Sequence, residues 1–277
     1  MTTAVLVDSA ATLPPDLRDR HQIRVVPLHL MIGDETHPDG SVDLDLVLDR
    51  LDDGVSTSSP SPGDFVRAID AAGEAGADEV LVVAVASHMS ATFDAARVAA
   101  GMVELPVRVL DSGTAAGGEG LVALAAAGAA LDGADLDEVE ARARKVAGVV
   151  ELVATVDSLD RLVAGGRLPP IAGWAGRRLN VNPLFAFRSG EIQRLRPAFS
   201  RQGALDRILG ECLGSRPAGS ARLHAAVLHA RAPDAARHLE ERIATAGDVE
   251  WFVGEFSAVM VTHTGPGLAG LAWWWEV

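Results

Sequence analysis

Near its carboxyl end the chain reads VTHTGPGLAGL, residues 261–271, with His263 set among glycines. The stretch GPGLAG matches G-x-G-x-x-G, but a dinucleotide fingerprint needs a helix after the glycines and an acidic residue about 20 positions on. Only seven residues follow Gly270, and LAWWWEV has the character of a strand. The glycines therefore read as a turn that lets main-chain N–H groups come close to something. Small hydroxyl and acidic residues also follow apolar runs: Asp8-Ser9 after AVLV, Ser87 and Ser90 after VLVVAVA, Asp111-Ser112 after VRVL. Thr57 and Ser58 lie in TSSPSP. At the carboxyl ends of parallel strands such groups line one edge of the sheet, where ligands bind, and hydroxyls with free N–H groups suit a small anion such as a carboxylate. They also suit helix caps, the reading preferred for Asp8, Ser9, Asp111 and Ser112.

Other chemistry is excluded by type and spacing. The eight histidines form no HxH or HExxH pair and no CxxC occurs, so metal binding is not expected. There is no G-x-S-x-G elbow. The single lysine, Lys145, sits inside EARARKVA, which removes a Walker A site and with it a nucleotide cofactor of that kind.

The elements that would position these residues follow from hydrophobic patterning. EVLVVAVAS is long and apolar enough for a strand buried on both faces. It alternates with the helical stretches DFVRAIDAAGEA, ATFDAARVAAGM and GLVALAAAGAAL. Strands alternating with helices predict a doubly wound, mostly parallel sheet over residues 1–150. From 151 to 277 the pattern changes. VVELVATV reads as a strand and SLDRLVAGG as a short helix closed by glycine. LFAFRSGEIQRLRP reads as a hairpin turning at Ser189-Gly190. A helix over 204–212 and the strands RLHAAVLHA and VEWFVGEF complete a mixed α+β domain. The expected class is two-domain α/β.

The 277 residues are 48% hydrophobic, enough for a large core, and the formal charge of −14 disfavours nucleic acid and anionic membrane surfaces. One cysteine, Cys212, precludes an internal disulfide. No signal peptide and no run of about 20 apolar residues is evident, so the expectation is a cytoplasmic protein without a membrane span.

Six segments, taken in order, resemble the DegV family of bacterial fatty-acid-binding proteins. They are AVLVDSAATLP, TSSPSPGDF (the family's T-S-Q-P-S loop), SHMSATFDAA (S-x-x-S-G-T), VRVLDSGTAAGGEGL, LDRLVAGGRL and HTGPGLAGL. The likeness runs through nearly the whole chain. It implies two α/β domains with a long-chain fatty acid held between them. It also implies a carrier, not an enzyme, which presents the acid to a separate ATP-dependent kinase subunit that makes acyl phosphate. Carried over residue by residue, it implies that Thr57, Ser58 and Ser90 bind the carboxylate. Arg167, His263, Thr264 and Gly265 would lie by the head group, where the phosphoryl group arrives. The chain departs from the family at Ser59, where glutamine is usual, at Ala91, where glycine is usual, and at Asn182-Pro183, where a lysine often precedes the proline.

The assignment is chemically coherent. A carboxylate taken from water needs donors and positive charge. Hydroxyls supply the first; Arg167, and His263 when protonated, supply the second. Without the resemblance, Arg167 reads as a charge at a helix C-terminus and His263 as a loop histidine bonded to backbone. An apolar tunnel must take the tail, at about 0.8 kcal/mol per buried CH₂. Its candidate walls are Phe93, Phe185, Phe187, Ile192 and Phe199, with Met89, Leu184 and the WWW of 273–275. Two alternatives are an acyl hydrolase or transferase with Ser90 as nucleophile and His263 as base, and a regulatory lipid sensor.

Overall fold

A computed structural model describes residues 1–168, 181–219 and 221–277. A four-stranded sheet runs in the order β2-β1-β6-β7, with β1 Thr3–Asp8, β2 Arg24–Val26, β6 Glu79–Ala84 and β7 Val107–Asp111. Every pairing in it is parallel. Alternation along the strands sorts their side chains to two faces. Leu6, Val80 and Val82 pack with Phe65 and Ile69 of α3 (Pro62–Glu74) and with Ala96 and Ala99 of α4 (Thr92–Ala100). Val5, Val7, Leu81 and Val83 meet α5 (Gly117–Leu131) on the other face.

The second sheet has six strands in the order β10-β9-β8-β13-β11-β12. Their ranges are β8 Glu151–Thr155, β9 Asn182–Arg188, β10 Glu191–Ala198, β11 Arg222–His229, β12 Val249–Glu255 and β13 Ala269–Glu276. Only β11 and β12 pair in parallel; the other ladders are antiparallel. One face is covered by α8 (Arg201–Gly214) and α9 (Pro233–Ile243), the other by α5. Helix α5 therefore lies between the two sheets, and its sequence GGEGLVALAAAGAAL is apolar around most of its circumference, as a helix buried on all sides must be. Its glycines allow the approach. A Cβ on Gly117 would stand 2.8 Å from Leu228 Cδ2 of β11, and one on Gly120 would stand 2.8 Å from the Ala11 carbonyl in the turn after β1.

The tryptophans, candidate walls of an acyl tunnel by sequence, pack instead into the cores on the two sides of this doubly covered sheet and do not line the apolar cavity described below. Trp273 is 1% and Trp274 4% exposed, because β13 is central and both its faces are buried. Trp273 donates to Ser215 Oγ at 2.9 Å, and Trp274 stacks on His224 with ring centroids 4.4 Å apart.

A third sheet, β4-β3-β5, is small and antiparallel: β3 His29–Ile32, β4 Glu35–Pro38, β5 Val55–Ser58. The short polar stretches of β4 and β5, ETHP and VSTS, carry no apolar alternation and so give no strand signal in the sequence. Between β4 and β5 lies α2 (Leu44–Asp49), and after β12 comes α10 (Ala258–Thr264), a helix the sequence reading passed over. Asp39 fixes the start of α10. Its Oδ2 accepts hydrogen bonds from Ser257 Oγ at 2.8 Å and from Ser9 Oγ at 2.7 Å, joining the helix to the end of β1.

Candidate functional site

Three elements from distant parts of the chain converge. Strand β5 brings Thr57, α10 brings His263, and the turn after α7 (Asp160–Ala164) brings Arg167. Thr57 Oγ1 lies 2.7 Å from His263 Nε2. On the far side of the ring, a Cβ on Gly165 would come 3.3 Å from His263 Nδ1 and 3.6 Å from Arg167 Cδ. The glycine thus leaves room for the imidazole and guanidinium to share one space. Arg167 is partly buried and donates from Nη1 to the Gly165 carbonyl at 2.6 Å. Among the described residues it faces no carboxylate in ion-pair range. Burial lowers its pKa. Burial first, and then the charge of Arg167, push the His263 pKa down to about 4. His263 is therefore neutral at pH 7 in the unliganded protein, and the permanent cation of the site is Arg167.

The hydroxyl of Ser90 belongs to a second cluster. It lies 2.8 Å from Ser59 Oγ and 2.8 Å from Thr92 Oγ1. The nucleophile–base pairing of the hydrolase alternative is not assembled here: His263 Nε2 meets Thr57, while Ser90 meets Ser59 and Thr92. Ser58 follows Thr57 on β5 and pairs with His29 across β3, so alternation directs its side chain to the opposite face of the small sheet. Thr264 bonds back to the Met260 carbonyl at 3.2 Å and helps to line an apolar cavity. Gly265 ends α10 at φ 70°, ψ 172°, a conformation that only glycine adopts without strain. Gly267, at φ 89°, passes so close to Asp157 that a side chain would collide with it. These are the reasons for the glycines around His263.

That cavity has a volume of about 50 Å³ and begins beside the polar groups, with Met89, Arg167, Met260 and Thr264 in its wall. Phe185, Phe187 and Ile192 line it together with Leu152, Leu162, Leu228, Phe256 and Leu268. Phe185 and Phe187 share one face of β9, edge to face at 6.2 Å. Leu184 faces the other way, into the core under α8. Phe93 lies on α4 beneath the Arg97 guanidinium, 5.7 Å from its ring centroid, and is not in the cavity wall. Phe199 is 74% exposed in the turn before α8. Hydrophobicity alone had selected both, and it does not tell which side of an element faces the cavity.

Of the four residues read as helix caps, Asp8 caps the short turn Ser9–Ala11, whereas Asp111 and Ser112 accept from main-chain N–H groups in the turn after β7 and Ser9 Oγ bonds Asp39 and Leu28 N. Asp8 accepts from Ala10 N and Val85 N, both at 2.9 Å, and Asp111 accepts from Gly113 N at 2.9 Å. Sequence reasoning assigned no role to Thr92 and treated Ser59 only as a departure from a pattern. Their hydroxyls were the available signal.

A family model described as "Uncharacterised protein, DegV family" matches residues 2–276. A DegV domain-containing protein of Streptomyces coelicolor is 36% identical over 273 residues, covering 97% of this chain and 96% of its own. Among solved structures, a DegV family protein from Thermus thermophilus, described by its fatty acid binding, superposes with a TM-score of 0.88 at 28% identity, with 99% of each chain covered. DegV of Bacillus subtilis, described as a fatty acid binding protein, superposes with a TM-score of 0.83 at 30% identity, again over 99% of each chain. The chain belongs to the DegV family.

Proposed function

We propose that this protein binds a long-chain fatty acid, with the carboxylate held by the Thr57 and Ser90 hydroxyls, His263 and Arg167 beside the head group, and the tail in the adjoining cavity. It then presents the carboxylate to a separate ATP-dependent kinase subunit that forms the acyl phosphate. The observation that carries this reading is the placement of an arginine that faces no carboxylate among the described residues beside neutral donors at the edge of an apolar cavity. In a chain of net charge −14, such an arginine is a preformed place for an anion. Burial of a tail against this apolar wall supplies about 0.8 kcal/mol per CH₂ before association costs.

Thr57 and Ser90 hold the acid as hydroxyl donors, Ser58 offers main-chain groups, and Thr264 and Gly265 frame the opening. Arg167 acts most strongly once phosphate charge builds on the carboxylate, because a preplaced guanidinium suits added negative charge. The relatives described as fatty acid binding support the ligand class. The two domains of this reading divide near residue 150, between α6 (Leu136–Ala147) and β8. It places the protein in the cytoplasm, with ATP and its metal brought by the kinase subunit. The test is reconstitution with an ATP-dependent fatty acid kinase subunit. Acyl phosphate should form only when both proteins, ATP and fatty acid are present. Product at equal rate without this protein would overturn the presenting role.

A further inference from the structure

Ser90 can donate outward only if its neighbours are oriented for it. A hydroxyl has one proton and two acceptor lone pairs. Ser90 Oγ is within 2.8 Å of both Ser59 Oγ and Thr92 Oγ1. Thr92 is fully buried, and among the described residues its hydroxyl has Ser90 Oγ as its partner, so its proton goes to Ser90. That occupies one lone pair; the Thr92 main-chain N–H also points at Ser90 Oγ, but at 3.4 Å it is too long to hold the other against a hydroxyl at 2.8 Å. The contact to Ser59 then decides where the Ser90 proton points. If Ser90 donates to Ser59, nothing is left for a ligand. If Ser59 donates to Ser90, both lone pairs are filled and the Ser90 proton is free for an anion.

Ser59 is only partly buried, so solvent or a ligand can satisfy either arrangement, and the direction of the Ser59–Ser90 bond is reversible. An anion selects one direction. The chain Ser59 O–H to Ser90 O–H to carboxylate is then cooperative, each donor polarising the next. The neighbouring Pro60 biases the Ser59 backbone toward extended conformations.

We propose that Ser59 is a positioning residue for the carboxylate, acting through Ser90: it donates to Ser90 Oγ and so turns the Ser90 proton toward the ligand. This rests on the carrier reading above. Ser59 touches no ligand atom in the scheme. Its effect is specific for a ligand that accepts a hydrogen bond as an anion, and a long-chain alcohol of equal length serves as the control.

The experiment titrates delipidated wild type, Ser59→Ala and Ser59→Thr with palmitate and with hexadecanol. It also records the carboxyl resonance of bound [1-¹³C]palmitate. Ser59→Ala should lose about threefold to tenfold in palmitate affinity, the range of one hydrogen bond, and shift the ¹³C resonance. Its hexadecanol affinity should stay within about twofold of wild type, and Ser59→Thr, which keeps the hydroxyl, should restore both palmitate readouts. Unchanged palmitate affinity and an unmoved resonance in Ser59→Ala would overturn the assignment. So would equal losses for acid and alcohol, or a failure of Ser59→Thr to rescue, since these mark a merely structural role. Wild type that binds palmitate no better than hexadecanol would overturn the carboxylate site itself and the Ser59 proposal with it.

Discussion

Thr57 Oγ1 and His263 Nε2 stand 2.7 Å apart, joining the edge strand of the small sheet to the last turn of α10. The bond has two directions. With the proton on Nε2, the imidazole donates to Thr57 and frees the threonine proton for a ligand. With the proton on Nδ1, Nε2 takes the threonine proton for itself. An incoming anion favours the first arrangement, so the histidine tunes the donor beside it.

Replacing Thr57 by valine keeps the shape and deletes that donor. A hydrogen bond to a charged group contributes about 1.5–3 kcal/mol, so fatty acid affinity should fall by roughly tenfold to a hundredfold. Titration of the delipidated protein measures this. An unchanged affinity would put the carboxylate elsewhere.

His263 should titrate with a midpoint near 4, against an ordinary value of 6.5, because burial and Arg167 disfavour its charged form. In the unfolded chain it binds a proton as pH falls through about 6.5, and in the folded protein it does not until about 4. Its contribution to stability is therefore present above pH 6.5 and is lost between 6.5 and 4. Nitrogen-15 resonances of the imidazole follow the titration directly. A bound carboxylate should raise the midpoint, as an opposite charge does. A ligand-free midpoint near 6.5 would contradict the burial argument.

The acid pair under the parallel sheet has the opposite sign. Asp8 is fully buried, and desolvation raises its pKa to about 6 despite the backbone bonds from Val85 and Ala10. Glu119, in the first turn of α5, is raised well above the usual carboxylate range by burial and then by Asp8. The folded protein keeps protons that the unfolded chain releases, so this contribution is present at low pH and is lost as pH rises. Glu119→Gln keeps the neutral shape and removes one such proton, whose linkage is at most about 1.4 kcal/mol per pH unit. Urea unfolding at pH 5.5 and pH 8 should show a smaller loss on going to pH 8 for the variant than for wild type. Equal losses would mean that Glu119 is ionised in the fold.

Much of this was legible beforehand, for definable reasons. The doubly wound half announced itself because β6 is apolar at every position from Val80 to Ala84 and the flanking α3 and α4 are amphipathic. The β9–β10 hairpin announced itself because Ser189 and Gly190 both take positive φ, 51° and 77°, as a tight turn requires. Helix α10 was hidden, since four of its seven residues, Val259, Val261, Thr262 and Thr264, are β-branched and its stop signal reads as a turn. The cavity wall was half legible: Phe185 and Phe187 were found, but the helix and loop contributions of Met260 and Leu268 depend on packing between distant segments.

Arg167 separates holding from presenting. Its guanidinium borders the cavity and touches no described carboxylate, so Arg167→Ala should bind fatty acid within about tenfold of wild type, or 1.4 kcal/mol. ATP-dependent acyl phosphate formation with a kinase subunit should fall much further. Both readouts belong on one preparation. Normal product formation would remove Arg167 from the phosphoryl site, and a binding loss as severe as that of Thr57→Val would make it part of the anchor.

Native mass spectrometry of the freshly purified protein tests the central claim most directly. The carrier reading predicts a non-covalent mass increment equal to a long-chain fatty acid, removed by organic extraction and regained when palmitate is added back. A protein that emerges without such an increment, and takes up no fatty acid when offered one, would contradict it.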